Sequence, residues 1–138
     1  MDAPQTSPLP PPGGSPRILL VDSVIPILRA LASMLDPYVI EMATSGALAL
    51  DRLASLPTID LILCDLQLDD LDGRSLYRQA CARSPELHGR FVFLTGDRAS
   101  PEYDVDTSTP VLLRPFDPDR LLAVVHDLLN RQPPRAEA

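Results

Sequence analysis

Lysine is missing from this chain. All twelve of its basic residues are arginines, so any mechanism built on a side-chain amine is excluded. Positive charge is also outnumbered. Nineteen acids leave a formal net charge of −7, which argues against nucleic acid as a direct partner, because phosphate contacts need clustered Arg or Lys. Cysteine is scarce. Cys64 and Cys81 both lie in apolar patterns and read as small buried hydrophobes in a reducing compartment rather than as a disulfide. No apolar run approaches the about 20 residues of a membrane span. The first residues lack the basic-then-apolar order of a secretory signal. The expectation is a cytoplasmic protein that meets no membrane.

Proline, by contrast, is concentrated at one end. Residues 1–16, MDAPQTSPLPPPGGSP, hold six prolines and two glycines. They read as a disordered tail with some extended polyproline character. Residues 131–138 look similarly frayed. The stretch between, residues 17–130, suits one domain. It is long enough to bury roughly two-thirds of its unfolded surface.

Within that domain, short apolar runs alternate with helix-period segments. RILLVD (17–22), YVIEMA (38–43), IDLILCD (59–65), RFVFLT (90–95) and PVLLR (110–114) read as strands, the first of them buried on both faces. After the first strand, Val24, Leu28, Leu31 and Leu35 recur at helical spacing, and Ile27 and Met34 broaden the stripe. Pro26 falls in the first turn, where its missing N–H costs nothing. SGALALDRLASL (45–56) reads as a helix capped by Ser45. GRSLYRQACARS (73–84) reads as another, with Leu76, Ala80 and Cys81 inward. DPDRLLAVVHDLLN (117–130) is the last, with Asp117 as cap and Pro118 at the first helical position.

Strand–helix alternation with short connections predicts a parallel sheet covered on both faces. Ligand sites of such sheets lie outside the carboxyl ends of the strands. Strand one ends in Asp22, strand three in Asp65, strand four in Thr95 and strand five in Arg114. Four polar groups terminate four apolar strands, and on this topology they meet at one edge. Asp65 stands out, because a carboxylate directly after Leu61-Ile62-Leu63-Cys64 is expensive to bury without a partner. Asp69, Asp70 and Asp72 read as solvated loop acids, with capping of the helix at 73–84 a second use for Asp72. Gly73 reads as relief of a backbone constraint. His88 and His126 read as surface residues.

The motifs ILLVDS, LILCDLQLDDLDG, FLTGD and LLRPFDPDRLLAVV, in this order and spacing, resemble a receiver domain of two-component signalling, the response-regulator family. The resemblance spans residues 17–130. It implies a flavodoxin-like α/β fold, five parallel strands in order 2-1-3-4-5 with helices on both faces. It also implies a phosphoryl switch. Asp65 matches the phosphoacceptor, served by a histidine kinase or a phosphotransfer protein. Phosphoryl transfer needs positive charge and donors around the equatorial oxygens. A divalent ion, normally Mg²⁺, takes oxygen ligands, and the resemblance implies Asp22, Asp65 and the backbone carbonyl of Gln67. Thr95 matches a hydroxyl donor to a phosphoryl oxygen, with Gly96 leaving room beside it. Pro115 matches a proline that follows a cis peptide bond.

Three positions depart from the family pattern. Receivers present two adjacent acids after the first strand, whereas here Asp22 is followed by Ser23, which removes one negative charge and weakens Mg²⁺ binding. Ser23 is expected instead to cap the first helix. The strand-five lysine is replaced by Arg114, a planar fork in place of a compact point charge, able to pair with Asp65 or a phosphate. The family's switching aromatic on strand five is Val111, expected in the core. In addition, the first fourteen residues after Thr95 show no apolar stripe, so the fourth helix of the family is expected to be reduced or absent.

The reading is a stand-alone atypical receiver, non-enzymatic, that takes a phosphoryl group on Asp65 and signals through protein contacts. One alternative is a pseudo-receiver that binds partners constitutively, with homodimerisation through the final helix. A remote one is a haloacid-dehalogenase-type phosphatase. That family wants a second acid two residues after its nucleophile, where this chain has Gln67.

Overall fold

Among the described residues, strands and helices alternate up to the fourth strand, as the periodicity predicts. A computed structural model describes residues 15–36, 38–56, 58–96, 109–114 and 117–131. The elements are β1 (Arg17–Val21), α1 (Ile25–Met34), β2 (Val39–Ala43), α2 (Gly46–Ser55), β3 (Leu61–Asp65), α3 (Gly73–Arg83), a 3₁₀ turn (Pro85–Leu87), β4 (Phe91–Thr95), β5 (Val111–Leu113) and α4 (Pro118–Arg131). The five strands form one parallel sheet in the order β2-β1-β3-β4-β5. This is the doubly wound arrangement, with its crossover point between β1 and β3.

Side chains of a strand alternate between faces, and that alternation divides the core in two. Leu19, Val21, Ile62, Cys64, Phe91 and Phe93 pack on one side against Ala49 of α2 and Leu76, Tyr77 and Ala80 of α3. Ile18, Leu20, Leu61, Leu63, Val92 and Leu94 pack on the other against Leu28 and Leu31 of α1 and Leu121, Val125 and Leu128 of α4. Every one of these twelve strand residues is buried. Each large aliphatic among them contributes about 1.5–3 kcal/mol relative to exposure. Burial on both faces explains why the central strands read as unbroken apolar runs rather than as alternating ones. The edge strand β2 is only partly buried.

The helix ends follow local chemistry. The Ser45 hydroxyl accepts the Leu48 N–H at 3.0 Å, and the Asp72 carboxylate accepts the Ser75 N–H at 2.8 Å. Asp117 accepts the Asp119 N–H at 3.0 Å, with Pro118 opening α4.

Two expectations are corrected here. Val24 does not join the apolar stripe of α1. It is 46% exposed, because it is the N-cap in extended backbone, outside the helical period. Val111 is not core either. It lies on the edge strand β5 and points away from buried Leu112, leaving it 36% exposed. The expectation of a reduced fourth helix falls on residues 97–108, and that of a cis bond before Pro115 falls on residue 115; both lie outside the described residues.

Candidate functional site

The sheet register carries the strand-end residues to one edge. Val21 pairs with Cys64, so the next residues, Asp22 and Asp65, leave adjacent strands together. Asp65 pairs with Leu94, one residue before Thr95, and Thr95 pairs with Leu113, one residue before Arg114. The Arg114 N–H donates to the Thr95 carbonyl at 2.7 Å, which ties the arginine's backbone to the tip of β4.

Arg114 connects the two acids. Its Nη2 lies 2.8 Å from Asp22 Oδ2, and its Nη1 lies 3.9 Å from Asp65 Oδ2. Asp22 has no exposed surface, and Asp65 keeps 8% of its own. The short contact therefore goes to Asp22, and the expected pairing with Asp65 is the longer of the two. The reason is burial. A fully enclosed carboxylate needs a charged partner more than one at the rim does. The second oxygen of Asp22 accepts the Val24 N–H at 2.9 Å. That bond replaces the expected Ser23 cap: α1 is capped at Val24 with no side-chain bond of its own, and Ser23 is only half-buried in the turn.

Asp65 Oδ1 accepts the Gln67 N–H at 3.0 Å. Burial pushes the Asp65 carboxyl above its ordinary value. The Gln67 bond pulls it back, the Asp22 charge raises it and the Arg114 charge lowers it. Directly before it, Cys64 is fully buried and donates to the Asp65 carbonyl at 3.2 Å, and burial holds that thiol well above its usual range.

The loop after Asp65 is pinned at both ends. A Cβ at Gly73 would meet the Asp65 carbonyl oxygen at 2.8 Å and the Leu66 Cα at 2.9 Å. Only glycine lets α3 start this close to β3, and the Gly73 N–H donates to the Leu66 carbonyl at 2.9 Å. Farther along, the Asp70 carboxylate accepts the Gly46 and Ala47 N–H groups at 2.9 and 3.0 Å. Asp70 is exposed, but it is not a free loop acid. It clasps the orphan donors at the start of α2, and those two bonds hold its carboxyl below its ordinary value. The sequence offered no sign of this, because the partners are over twenty residues apart. Gly46 is close-packed too, since a Cβ there would lie 2.7 Å from Leu71 Cβ. Gly96 differs: among the described residues a Cβ there would meet nothing within 4 Å, beside buried Thr95. His88 and His126 are exposed, as expected. His88 bonds the Tyr77 hydroxyl at 3.0 Å, and His126 lies edge-on to Tyr38.

Two carboxylates and a carbonyl are the donor chemistry of a hard divalent ion. As arranged, both oxygens of Asp22 are engaged and Arg114 stands between the acids. Among the described residues no group of three or more His, Cys, Asp or Glu could hold a metal ion. The donor set does not fit a divalent ion in this arrangement.

No family model matches the chain. Individual proteins do. The response regulator receiver protein CpdR of Brucella abortus is 32% identical over 105 residues, a match covering 72% of this chain and 85% of CpdR. The chain belongs to the response-regulator receiver family. This receiver also matches the transcriptional regulatory protein GlrR of Escherichia coli, at 29% identity over 126 residues and 88% of the chain. It spans only 28% of the length of GlrR. Among solved structures, the signal receiver domain of an HD domain-containing protein from Pseudomonas fluorescens superposes with a TM-score of 0.76. It has 29% sequence identity, and the match covers 85% of this receiver and 96% of that chain. Receivers as a family serve two-component signalling and are generally metal-binding, phosphoryl-accepting modules. No helix among the described residues is long and apolar enough to cross a membrane.

Proposed function

We propose that this receiver accepts a phosphoryl group on Asp65 from a histidine kinase or phosphotransfer protein in the cytoplasm. It then acts through protein–protein contacts, without an enzymatic output of its own. The observation that carries the reading is the pose of Asp65. The carboxylate sits at the tip of a buried strand with one oxygen held by the Gln67 N–H and the other facing a guanidinium. In the transfer, Asp65 Oδ2 attacks phosphorus in line. The phosphorus–nitrogen bond of the donor phosphohistidine breaks, and the leaving imidazole takes a proton. The product is a mixed anhydride on Asp65. Charge on the equatorial oxygens during transfer is met by Arg114 and by the Thr95 hydroxyl. The space that the described residues leave at Gly96 admits the group.

Asp22 acts on this reading by holding Arg114 in place. Its engagement with Arg114 also supports the second reading, a pseudo-receiver that binds partners without cycling. The two separate by intact mass after treatment with a small phosphodonor, with and without Mg²⁺. The phosphoryl reading requires a gain of about 80 daltons in the wild type and none in Asp65→Asn. An unmodified wild type under both conditions leaves only the pseudo-receiver.

A further inference from the structure

We propose that the Arg114 guanidinium is a tethered counter-cation standing where a divalent ion would sit between Asp22 and Asp65. Arginine and metal are then alternative occupants of one position, and at rest the arginine holds it. The proposal rests on reading this pocket as the phosphoryl site, but its test involves no phosphorylation.

Three observations carry it. The first is geometric: one guanidinium reaches both acids, at 2.8 Å to Asp22 and 3.9 Å to Asp65. A planar fork spans two carboxylates in a way a single ammonium does not. The second is the state of Asp22. It has no exposed surface, and its oxygens are taken by the Val24 N–H and by Arg114. A metal ion can gain Asp22 only if the guanidinium leaves it. The third is charge. Two acids and one arginine leave one net negative charge in the pocket, because Ser23 stands where an adjacent acid would add another. A divalent ion placed beside the guanidinium would reverse that sign and set two cations against each other in a largely dry site.

The tether favours the arginine. The Arg114 backbone is bonded to the tip of β4 at 2.7 Å. Its side chain therefore competes at an effective concentration on the order of millimolar or above. Mg²⁺ binding in this receiver is accordingly weak, and it is coupled to a swing of Arg114 away from Asp22.

The test is calorimetric titration of the full chain with Mg²⁺, comparing wild type, Arg114→Ala and Arg29→Ala. Arg29 is exposed on α1 and controls for general loss of positive charge. Arg114→Ala is expected to bind Mg²⁺ about tenfold or more tightly than wild type, and Arg29→Ala to stay within about twofold. Equal gains in both variants, no gain in Arg114→Ala, or no binding by any of the three overturns the proposal. A second measurement uses wild type alone, so it survives a variant that fails to fold. The Nη resonances of Arg114, slowed by the bond to Asp22, should lose that signature as Mg²⁺ saturates. Their persistence at saturation is the contrary result. A missing mass adduct together with a gained affinity sinks the phosphoacceptor reading alone. The reverse pair sinks the counter-cation alone.

Discussion

Replacing Gly73 with alanine tests how tightly the phosphoacceptor strand and α3 are joined. The added methyl would lie 2.8 Å from the Asp65 carbonyl oxygen and 2.9 Å from the Leu66 Cα. Both are backbone atoms of buried residues at the end of β3, so neither can rotate aside. Relief requires α3 to draw back by several tenths of an ångström, which strains the bond from the Gly73 N–H to the Leu66 carbonyl. Overpacking of this kind costs about 1–3 kcal/mol. Alanine's higher helix propensity returns at most about 1 kcal/mol, and less at a first-turn position. The net expectation is a loss of about 1–2 kcal/mol. The glycines supply their own scale. At Gly46 the nearest atom is Leu71 Cβ at 2.7 Å, which moves only with its backbone, so Gly46→Ala should cost a similar amount. At Gly96 none of the described residues lies within 4 Å of an added Cβ, so Gly96→Ala should fall within about 0.5 kcal/mol of wild type. Urea unfolding of the three variants measures the series. A Gly73→Ala protein as stable as Gly96→Ala would refute the close-approach account.

Two further expectations concern charge. Burial raises the Asp65 carboxyl, so its ionised form opposes folding at neutral pH; Asp65→Asn should stabilise the protein by about 0.5–2 kcal/mol. A raised acid costs stability above its folded pKa, and that cost fades as pH drops toward the ordinary aspartate value near ~3.9; urea midpoints at about pH 7 and about pH 4 should show the advantage shrinking, and a constant or growing advantage contradicts the burial account. Asp70 has the opposite sign: its carboxyl is lowered by the Gly46 and Ala47 N–H groups, so its contribution is present above the unfolded pKa and is lost as pH falls through the folded one. Asp70→Ala should raise amide exchange at Gly46 and Ala47 at neutral pH and lose its effect in acid; unchanged exchange at neutral pH contradicts the clasp.

Most elements could be read from the chain because their signals are local. Leu28 and Leu31 keep helical spacing, and Leu61 to Cys64 form an unbroken apolar run, so period and length identified helix and strand. The caps at Ser45 and Asp117 were legible for the same reason, since each bonds a group two or three residues away. The misreadings sit where a residue's fate depends on distant neighbours. Val111 has the composition of a core residue but lies on an edge strand. Asp70 has the composition of a solvated acid but meets α2. Ser23 is a good cap by type, yet Asp22 reached the Val24 N–H instead.

Hydrophobic period and chain direction were enough to put Asp22, Asp65, Thr95 and Arg114 at the same end of a parallel sheet, because every strand of such a sheet points the same way. They could not decide how those groups pair. Ion pairing depends on burial and on distances of an ångström, and residues 22 and 114 come within 2.8 Å only once the sheet is assembled, because β3 and β4 lie between their strands. Which carboxylate the guanidinium satisfies was therefore settled by packing: the more enclosed acid has no water to turn to.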